Sequence, residues 1–551
     1  MQLQAAAEIP GDIARASEVV GVLVKYGLAW WLEGTEWTTA RRVLTSNTGE
    51  VLTDKPLAVR IRLAFTDLGT TFIKLGQVLG TRPDLVGPEV AAELAHLQDA
   101  APADPPDVAV ATIERELARP IAECFAEFER DAFASASIGQ VHRAKLANGR
   151  RVVVKVQHAG IEGTIHRDLN ILSKLAVVAE RQELLKRYRP TAIVREFRDT
   201  LLRELDFRRE MRNLMQFRRN FSADQSVAFP KPYPQLSTGR VLTMQMFRGT
   251  SVGNIDKLQR RHVDCEALAR KGAGVFLQMM LRDGFYHADP HPGNLLVLAR
   301  GRLGVLDAGM VGRIDETLRE QIVEVLLAAG DRDAERLTHV IAEICKAPAD
   351  LDRAGLSTDL EEVFTEYATQ AVGQFDVGGA LTAVTRLLHE YNVFLPSRLS
   401  MLLKCLIVLE GTAKKLNATF NLAEFLAPYQ RQFIMQQLSP ERWMRKAKRW
   451  RRDWEMLAET VPRGLSNLLE QLQTGHFSIR IRKSPLQSPL NRLVSALCVS
   501  ALMIASAMLL SYQVRPTLAG VSIVGAAGYL LAILMTICIL WLGLWKKRDG
   551  D

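Results

Sequence analysis

The residues best placed to do chemistry lie between Phe285 and Gly309. The stretch reads Phe-Tyr-His287-Ala-Asp289-Pro-His291-Pro-Gly-Asn294, then an apolar run, then Asp307-Ala308-Gly309. Asp289 and Asn294 are five residues apart, and Asp307 follows Asn294 by thirteen. Phosphoryl transfer from a nucleotide needs three such groups in this order. One Asp orients or deprotonates the acceptor, and an Asn and a second Asp hold the metal ions that bridge the phosphates. Leu295-Leu296-Val297 and Leu303–Leu306 read as two short strands with a turn at 299–302, a hairpin that delivers Asn294 and Asp307 to one cleft. His287, Asp289 and His291 alternate, so on a strand they could ligate zinc. Pro290 and Pro292 argue against such a strand, because neither can donate to a ladder.

A lysine and several carboxylates upstream suit the same reaction. Arg151–Val156 reads as a strand carrying Lys155 in a Val-x-x-Lys setting, where a kinase places the Lys that reaches the phosphates. Asn148-Gly149 makes the hairpin turn to a preceding strand, Val141–Leu146. Ahead of it, Ala134-Ser135-Ala136-Ser137-Ile138-Gly139 looks like the nucleotide loop of a kinase N-lobe with Ala and Ser in place of most glycines. Residues 192–218 read as one charged helix with Glu204, Asp206 and Glu210, in which Asp206 and Glu210 share a face and Glu204 turns away. One carboxylate of this helix is expected to pair with Lys155. Val241–Gly249 reads as a strand entering a hinge near Met244 and Met246. His166-Arg167-Asp168-Leu169 imitates a kinase catalytic loop, but Ser173 stands where Asn is needed. It reads as helix with its charges in solvent.

Several helices must frame these groups. Residues 58–80 read as one amphipathic helix, with Phe65, Leu68, Phe72, Leu75 and Leu79 on one face. Lys74 and Gln77 lie one turn apart near its end, and Gly76 between them suggests close approach by another element. A first helix around Ser17–Leu32 reads as core packing, and 262–283 reads as the helix before the catalytic loop. Residues 314–430 read as mostly helical, with apolar runs at 321–328, 336–345 and 399–410.

The chain of 551 residues carries a formal charge of +9, which suits nucleic acid or an anionic membrane surface. Six scattered cysteines give neither a disulfide framework nor a zinc knuckle, and no secretory signal opens the chain. Residues 440–457 put Trp443, Trp450 and Trp454 on one helical stripe beside Arg and Lys, the pattern of an interfacial helix on anionic lipid. Leu493–Tyr512 and Leu518–Trp545 are uncharged and long enough to span a bilayer, with a tight connection at Gln513–Pro516. Basic residues flank both outer ends, which predicts a hairpin with both ends cytoplasmic. The nearby apolar segments favour lipid over nucleic acid as the partner of the basic stretch.

Together these motifs resemble the UbiB family of atypical kinases, bacterial branch. The carriers are Lys74-x-Gly76-Gln77, Ala134–Gln140, Val154-Lys155-Val156-Gln157, Glu204-x-Asp206, His287 through Asn294, and Asp307-x-Gly309. The resemblance implies an α+β, bilobal protein-kinase-like fold with a helical N-terminal extension over the active site and a C-terminal transmembrane helical hairpin. It implies ATP and Mg²⁺ as cofactors, with Asp289, Lys155 and Glu210 catalytic, and Asn294 and Asp307 on metal. Ala134 to Gly139, Lys155, Met244 and Met246 would line the nucleotide. Lys74, Gln77, Glu204 and Asp206 would regulate, with Lys74 meeting Glu204 and Asp206, and Lys155 pairing with Glu210. The extension would block a protein substrate, so the expected activity is a lipid-associated ATPase supporting ubiquinone biosynthesis. A small-molecule or lipid kinase and a nucleotide-gated lipid-binding scaffold are the alternatives. Two departures matter: Ser135 in a loop usually all Ala before its final Ser, and Ala308 where many members carry Phe.

The expected organisation is 1–50 N-terminal helical segment, 51–120 extension, 121–244 N-lobe with inserted helices, 245–430 C-lobe, 431–490 basic juxtamembrane region and 491–546 two transmembrane helices. The expected partners are anionic membrane lipid, quinone precursors and other ubiquinone biosynthesis enzymes, without nucleic acid and with homodimer formation left open. The expected location is the bacterial inner membrane, with the catalytic domain cytoplasmic.

Overall fold

A computed structural model describes residues 2–29, 55–97, 101–368, 376–426, 499–509, 511, 517–518, 521–522, 526–533 and 535. The chain divides into two compact units, Met1–Arg442 and Trp443–Asp551.

In the first unit, an antiparallel sheet forms the upper lobe. Its strands are β1 (Glu127–Phe128), β2 (Ala134–Ser135), β3 (Gly139–Lys145), β4 (Arg151–Gln157) and β6 (Val241–Gln245), after the short β5 (Val227–Ala228). The order is β1-β3-β4-β6, and β2 pairs with β3. Asn148-Gly149 makes the β3–β4 turn, with Gly149 at φ +79°. On β4, Val152, Val154 and Val156 are fully buried against Ala109 and Ile113, so the two-residue period turns Lys155 to the opposite face.

The first helix starts before Ser17 and ends at Lys25, short of the expected Leu32, and two other expected helices are each broken in two. The helix expected over 58–80 is two, α2 (Leu57–Leu68) and α3 (Thr70–Leu79), following α1 (Gln2–Lys25). Gly69 breaks it at φ +85°, a backbone conformation that costs glycine little. Gly76 packs so closely against Leu97 and Phe65 that their side chains would have to shift to admit a Cβ. The chain then runs through α4 (Pro83–Val86), α5 (Pro88–Leu94), α6 (Pro106–Leu117) and, after β4, α7 (Ile161–Glu180). The charged helix expected over 192–218 is also two, α8 (Pro190–Glu204) and α9 (Phe207–Asn220). Asp206 starts α9 by accepting from Arg208 N at 3.1 Å. His166 and Arg167 on α7 are exposed, but Asp168 is 1% exposed and bonds Arg15 Nε at 2.8 Å. Its charge is therefore paired in the core rather than solvated. Val19, Val20, Phe72, Leu75, Leu169 and Phe197 fill that core.

The lower lobe holds β7 (Thr250–Ser251), α10 (Cys265–Leu277), β8 (Phe285–His287), β9 (Leu295–Val297), β10 (Leu303–Val305) and β11 (Val311–Arg313). The sheet order is β5-β10-β9-β7, and β8 pairs with β11. A π turn over Gln278–Asp283 links α10 to β8. A helical stack follows: α11 (Glu316–Gly330), α12 (Ala334–Ile344), α13 (Arg353–Ala368), α14 (Val377–Glu390) and α15 (Ser397–Leu416). Leu402, Cys405, Leu409 and Ala413 place one face of α15 in the lower-lobe core. The extension docks onto this stack. Arg82 bonds Asp84 and donates to Leu395 O at 2.8 Å, and fully buried Asp84 accepts from Leu395 N at 3.0 Å.

In the second unit, helical residues 499–509 and 526–533 meet where a Cβ on Gly528 would lie 2.4 Å from Ser506 Oγ. The connection is longer than Gln513–Pro516, because β12 (Thr517–Leu518) pairs with β13 (Val521–Ser522) beyond it. Among the described residues no helix is long and apolar enough to cross a membrane. Much of the two expected spans, the end of the first helix expected to reach Leu32 and the whole 440–457 stripe lie outside the described residues. Cys124, Cys265, Cys345 and Cys405 are free thiols.

Candidate active site

The break between α8 and α9 arranges two carboxylates. Glu204 ends one helix and Glu210 sits in the first turn of the next, so the two need not turn away from each other. Lys155 Nζ lies 2.9 Å from Glu210 Oε2, and Lys74 Nζ lies 2.8 Å from Glu204 Oε1. Asp206 caps α9, and its Oδ2 is 3.9 Å from Arg212. Gln77 Nε2 donates to Leu97 O at 3.3 Å, tying the extension to itself.

Four charges form one electrostatic group. Burial alone would lower the Lys155 ammonium, but Glu210 and Asp307 outweigh it and hold it well above its ordinary value. Burial pushes the Glu210 carboxyl up, with Asp307 adding to that and Lys155 opposing it. Asp307 goes the other way. Burial would raise it, but Lys155, the Gly309 N–H and more distant Lys74 hold it below the usual carboxylate range. Asp307 therefore stays ionised beside a charged lysine, the state needed to bind a cation.

The loop after β8 builds the other wall. His287 is buried, and its Nδ1 accepts from Asp289 N at 3.0 Å. Burial lowers its pKa, so the ring stays neutral and can accept. His291 Nδ1 accepts from Gly293 N at 3.2 Å. The alternating histidines are thus loop fasteners, and among the described residues no cluster of three His, Cys, Asp or Glu could hold a metal. Asn294 Nδ2 reaches Asp289 O at 3.4 Å and Oδ2 at 3.5 Å. That leaves its carbonyl oxygen for a cation. Asp307 Oδ1 accepts from Gly309 N at 2.6 Å, leaving Oδ2. One carboxylate and one amide oxygen fit Mg²⁺, which takes few protein ligands and completes its shell with phosphates and water. Ala308 is buried, and its carbonyl accepts from Asn213 of α9 at 2.9 Å, which ties the Glu210 helix to the loop that carries Asp307.

Ala134 and Ser135 form β2, and Ala136 N closes the loop on Gly139 O at 2.9 Å. Ser137 and Ile138 are buried at its tip. A Cβ on Gly139 would meet Val156 O at 2.4 Å, so glycine is required there. Met244 pairs with Val153 across β6 and β4, and Met246 N donates to Arg151 O at 3.2 Å, both half-buried where the two lobes join.

Sequence reasoning missed Lys404 on α15. Its Nζ lies 3.6 Å from Asp289 Oδ1. Two neighbours on that helix hold the same loop: Cys405 Sγ donates to His287 O at 3.3 Å and Thr412 Oγ1 to Pro290 O at 3.2 Å. The signal was a single lysine inside the apolar run 399–410.

Comparison with known proteins agrees with this geometry. The ABC1 atypical kinase-like domain matches residues 96–341, the UbiB helical domain 360–421 and the ABC1/UbiB kinase-like C-terminal domain 483–544. A Clostridium pasteurianum protein described as an uncharacterized protein in the hydrogenase 1 5' region is 28% identical, over 96% of this chain and 98% of its own length. A Mycobacterium tuberculosis structure, a complex of Rv3197 with erythromycin, covers 73% of this chain and 97% of its own. The two are 20% identical, with a TM-score of 0.38. The three family models together take in well over half of the sequence, and they fall on the two lobes, the helical stack and the C-terminal region. The chain belongs to the ABC1/UbiB family of atypical kinase-like proteins.

Proposed function

We propose that this protein binds Mg-ATP in the cleft and hydrolyses it, and that it does so at a bacterial inner membrane in support of ubiquinone biosynthesis. The supporting observation is the charged group of Lys155, Glu210 and Asp307 facing the Asp289–Asn294 loop. Lys155, held charged by Glu210, would contact phosphate oxygens. Asp307 and Asn294 would hold Mg²⁺, which supplies charge neutralisation at the phosphates. Asp289, steadied by Asn294 and Lys404, would orient the attacking oxygen. Lys74 and Glu204 bring the extension beside this group, and the Arg82–Asp84 pair docks its far end, which favours water or a small acceptor over a protein chain.

The membrane part of the proposal rests on sequence. It draws on the basic, Trp-bearing stretch at 440–457 and the two uncharged segments that follow, as anchors for a site acting on quinone precursors, lipids or neighbouring biosynthetic enzymes. The test is ATP turnover by the purified full chain, with and without anionic liposomes and quinone precursors. Phosphate release stimulated by liposomes is expected. A phosphorylated lipid or precursor found by mass analysis would replace the ATPase with a kinase, and no turnover under any condition would leave only a nucleotide-gated scaffold.

A further inference from the structure

The nucleotide loop is gripped from one side by a residue outside the charged group. His158 follows β4, three residues beyond Lys155. Its backbone N–H donates to Ile138 O at 3.0 Å, and its ring Nε2 donates to Ala136 O at 2.8 Å. The same nitrogen is 3.5 Å from Ser135 Oγ. One residue thus reaches both ends of the Ser135–Ile138 turn. The imidazole is 9% exposed; Nδ1 lies 3.2 Å from Asp104 Oδ1 without a hydrogen bond between them, so Asp104 holds His158 through the backbone of the next residue.

Asp104 is itself fixed. Its Oδ2 accepts from Ala159 N at 2.8 Å, and its backbone N–H donates to Gln140 Oε1. Gln140 is 1% exposed, and its amide lies 2.9 Å from Nε2 of fully buried His142. Asp104 belongs to neither strand of the hairpin. It comes from the segment just before α6, so the loop's support is anchored outside the sheet.

A glycine-rich loop owes its shape to positive φ angles. None of residues 134–139 has one, so this loop must be shaped by what it bonds to. The bond to Ala136 O is a side-chain bond at its centre. We propose that His158, held in place where Asp104 accepts from Ala159 N, is the positioning residue that sets the Ala134–Gly139 loop for the phosphates of the nucleotide. This rests on the cleft being a Mg-nucleotide site. His158 touches no reacting atom, so its effect belongs in phosphate affinity and not in the binding of the nucleoside.

The test is binding of Mg-ATP and of adenosine to the full chain, with melting temperatures taken without ligand. His158→Leu removes the donor and should weaken Mg-ATP about tenfold, the value of one hydrogen bond at a charged site, while adenosine changes less than about twofold. His158→Gln keeps an N–H for Ala136 O and should return Mg-ATP affinity to within about threefold of wild type. Asp104→Asn should shift affinity in the same direction as His158→Leu, and adding it to His158→Leu should weaken binding no further. Should His158→Leu fail to fold, Asp104→Asn and His158→Gln carry the test. Unchanged Mg-ATP affinity in both Asp104→Asn and His158→Leu overturns the proposal. So does an equal loss of ATP and adenosine, which marks a general structural defect, or a Gln variant no better than Leu. If the wild-type chain binds neither ligand, the nucleotide reading itself fails and this proposal falls with it.

Discussion

Removing Lys74 should loosen the extension by an amount the exposures bracket. The lysine sits 2.8 Å from Glu204, with side chains 13% and 30% exposed. Breaking a fully buried pair costs about 3–5 kcal/mol, and an exposed pair is worth about 0–1. Water reaches Glu204 more than Lys74, so Lys74→Ala should cost about 1–3 kcal/mol. Part of that is the Glu204 carboxylate left without its cation. The pair joins α3 to the end of α8, so the loss should concentrate there and show as faster limited proteolysis of the extension. Glu204→Gln should cost less, because a neutral amide needs no cation. In a urea double-mutant cycle the pair should couple by about 1 kcal/mol, with the double variant less than additive. Strict additivity, with no change in protease sensitivity, would refute the reasoning and make Lys74 an ordinary surface lysine.

Other consequences follow from the same contacts. Asp84→Ala leaves buried Arg82 with only half-exposed Glu196, 3.5 Å away, as a carboxylate partner and removes the acceptor of Leu395 N, so it should cost about 3–5 kcal/mol in urea unfolding, with an Arg82→Met/Asp84→Met double variant destabilised less than the single. A loss under 1 kcal/mol would deny that this pair docks the extension. Lys404→Met should lower the turnover number about tenfold while Mg-ATP affinity stays within about threefold, since Lys404 meets Asp289 and not the metal pair; equal losses in both would place it elsewhere. Burial keeps His287 and His142 neutral, with pKa values below the ordinary value near 6.5. The unfolded chain then binds protons that the fold refuses, so their contribution is full above that pH and is lost as pH falls towards the lowered values. Melting at pH 7.5 and 5.5 should show the drop, and a His142→Gln variant should show a smaller one; an equal drop in both would remove His142 from the account.

Much of the site was legible because its residues lie in short local patterns. The hairpin from Leu295 to Val305 follows from two apolar triplets and a turn, and it carries Asn294 and Asp307 at its ends. Lys155 follows from the two-residue period of β4. What escaped depends on distant partners. Nothing near Asp168 announces that Arg15, far off in sequence, pairs with it in the core. Periodicity ran through Gly69 and through Leu205-Asp206 because the apolar face stays in phase across both breaks. Only the second break lets Glu204 and Glu210 serve different lysines. Lys404 was hidden in an apolar run, where its neighbours are core and only its own ammonium reaches Asp289.

The most direct test of the central claim is Mg-ATP binding to the full-length wild-type chain and to Asp307→Asn, by calorimetry with and without Mg²⁺. Asp307 is held ionised beside Lys155 and has an oxygen to offer a cation, whereas the amide keeps the shape and loses the charge. Wild type should bind ATP far more tightly with Mg²⁺ than without, and Asp307→Asn should lose most of that difference while keeping its melting temperature. Equal Mg²⁺ dependence in the two proteins would contradict a metal-nucleotide site in this cleft.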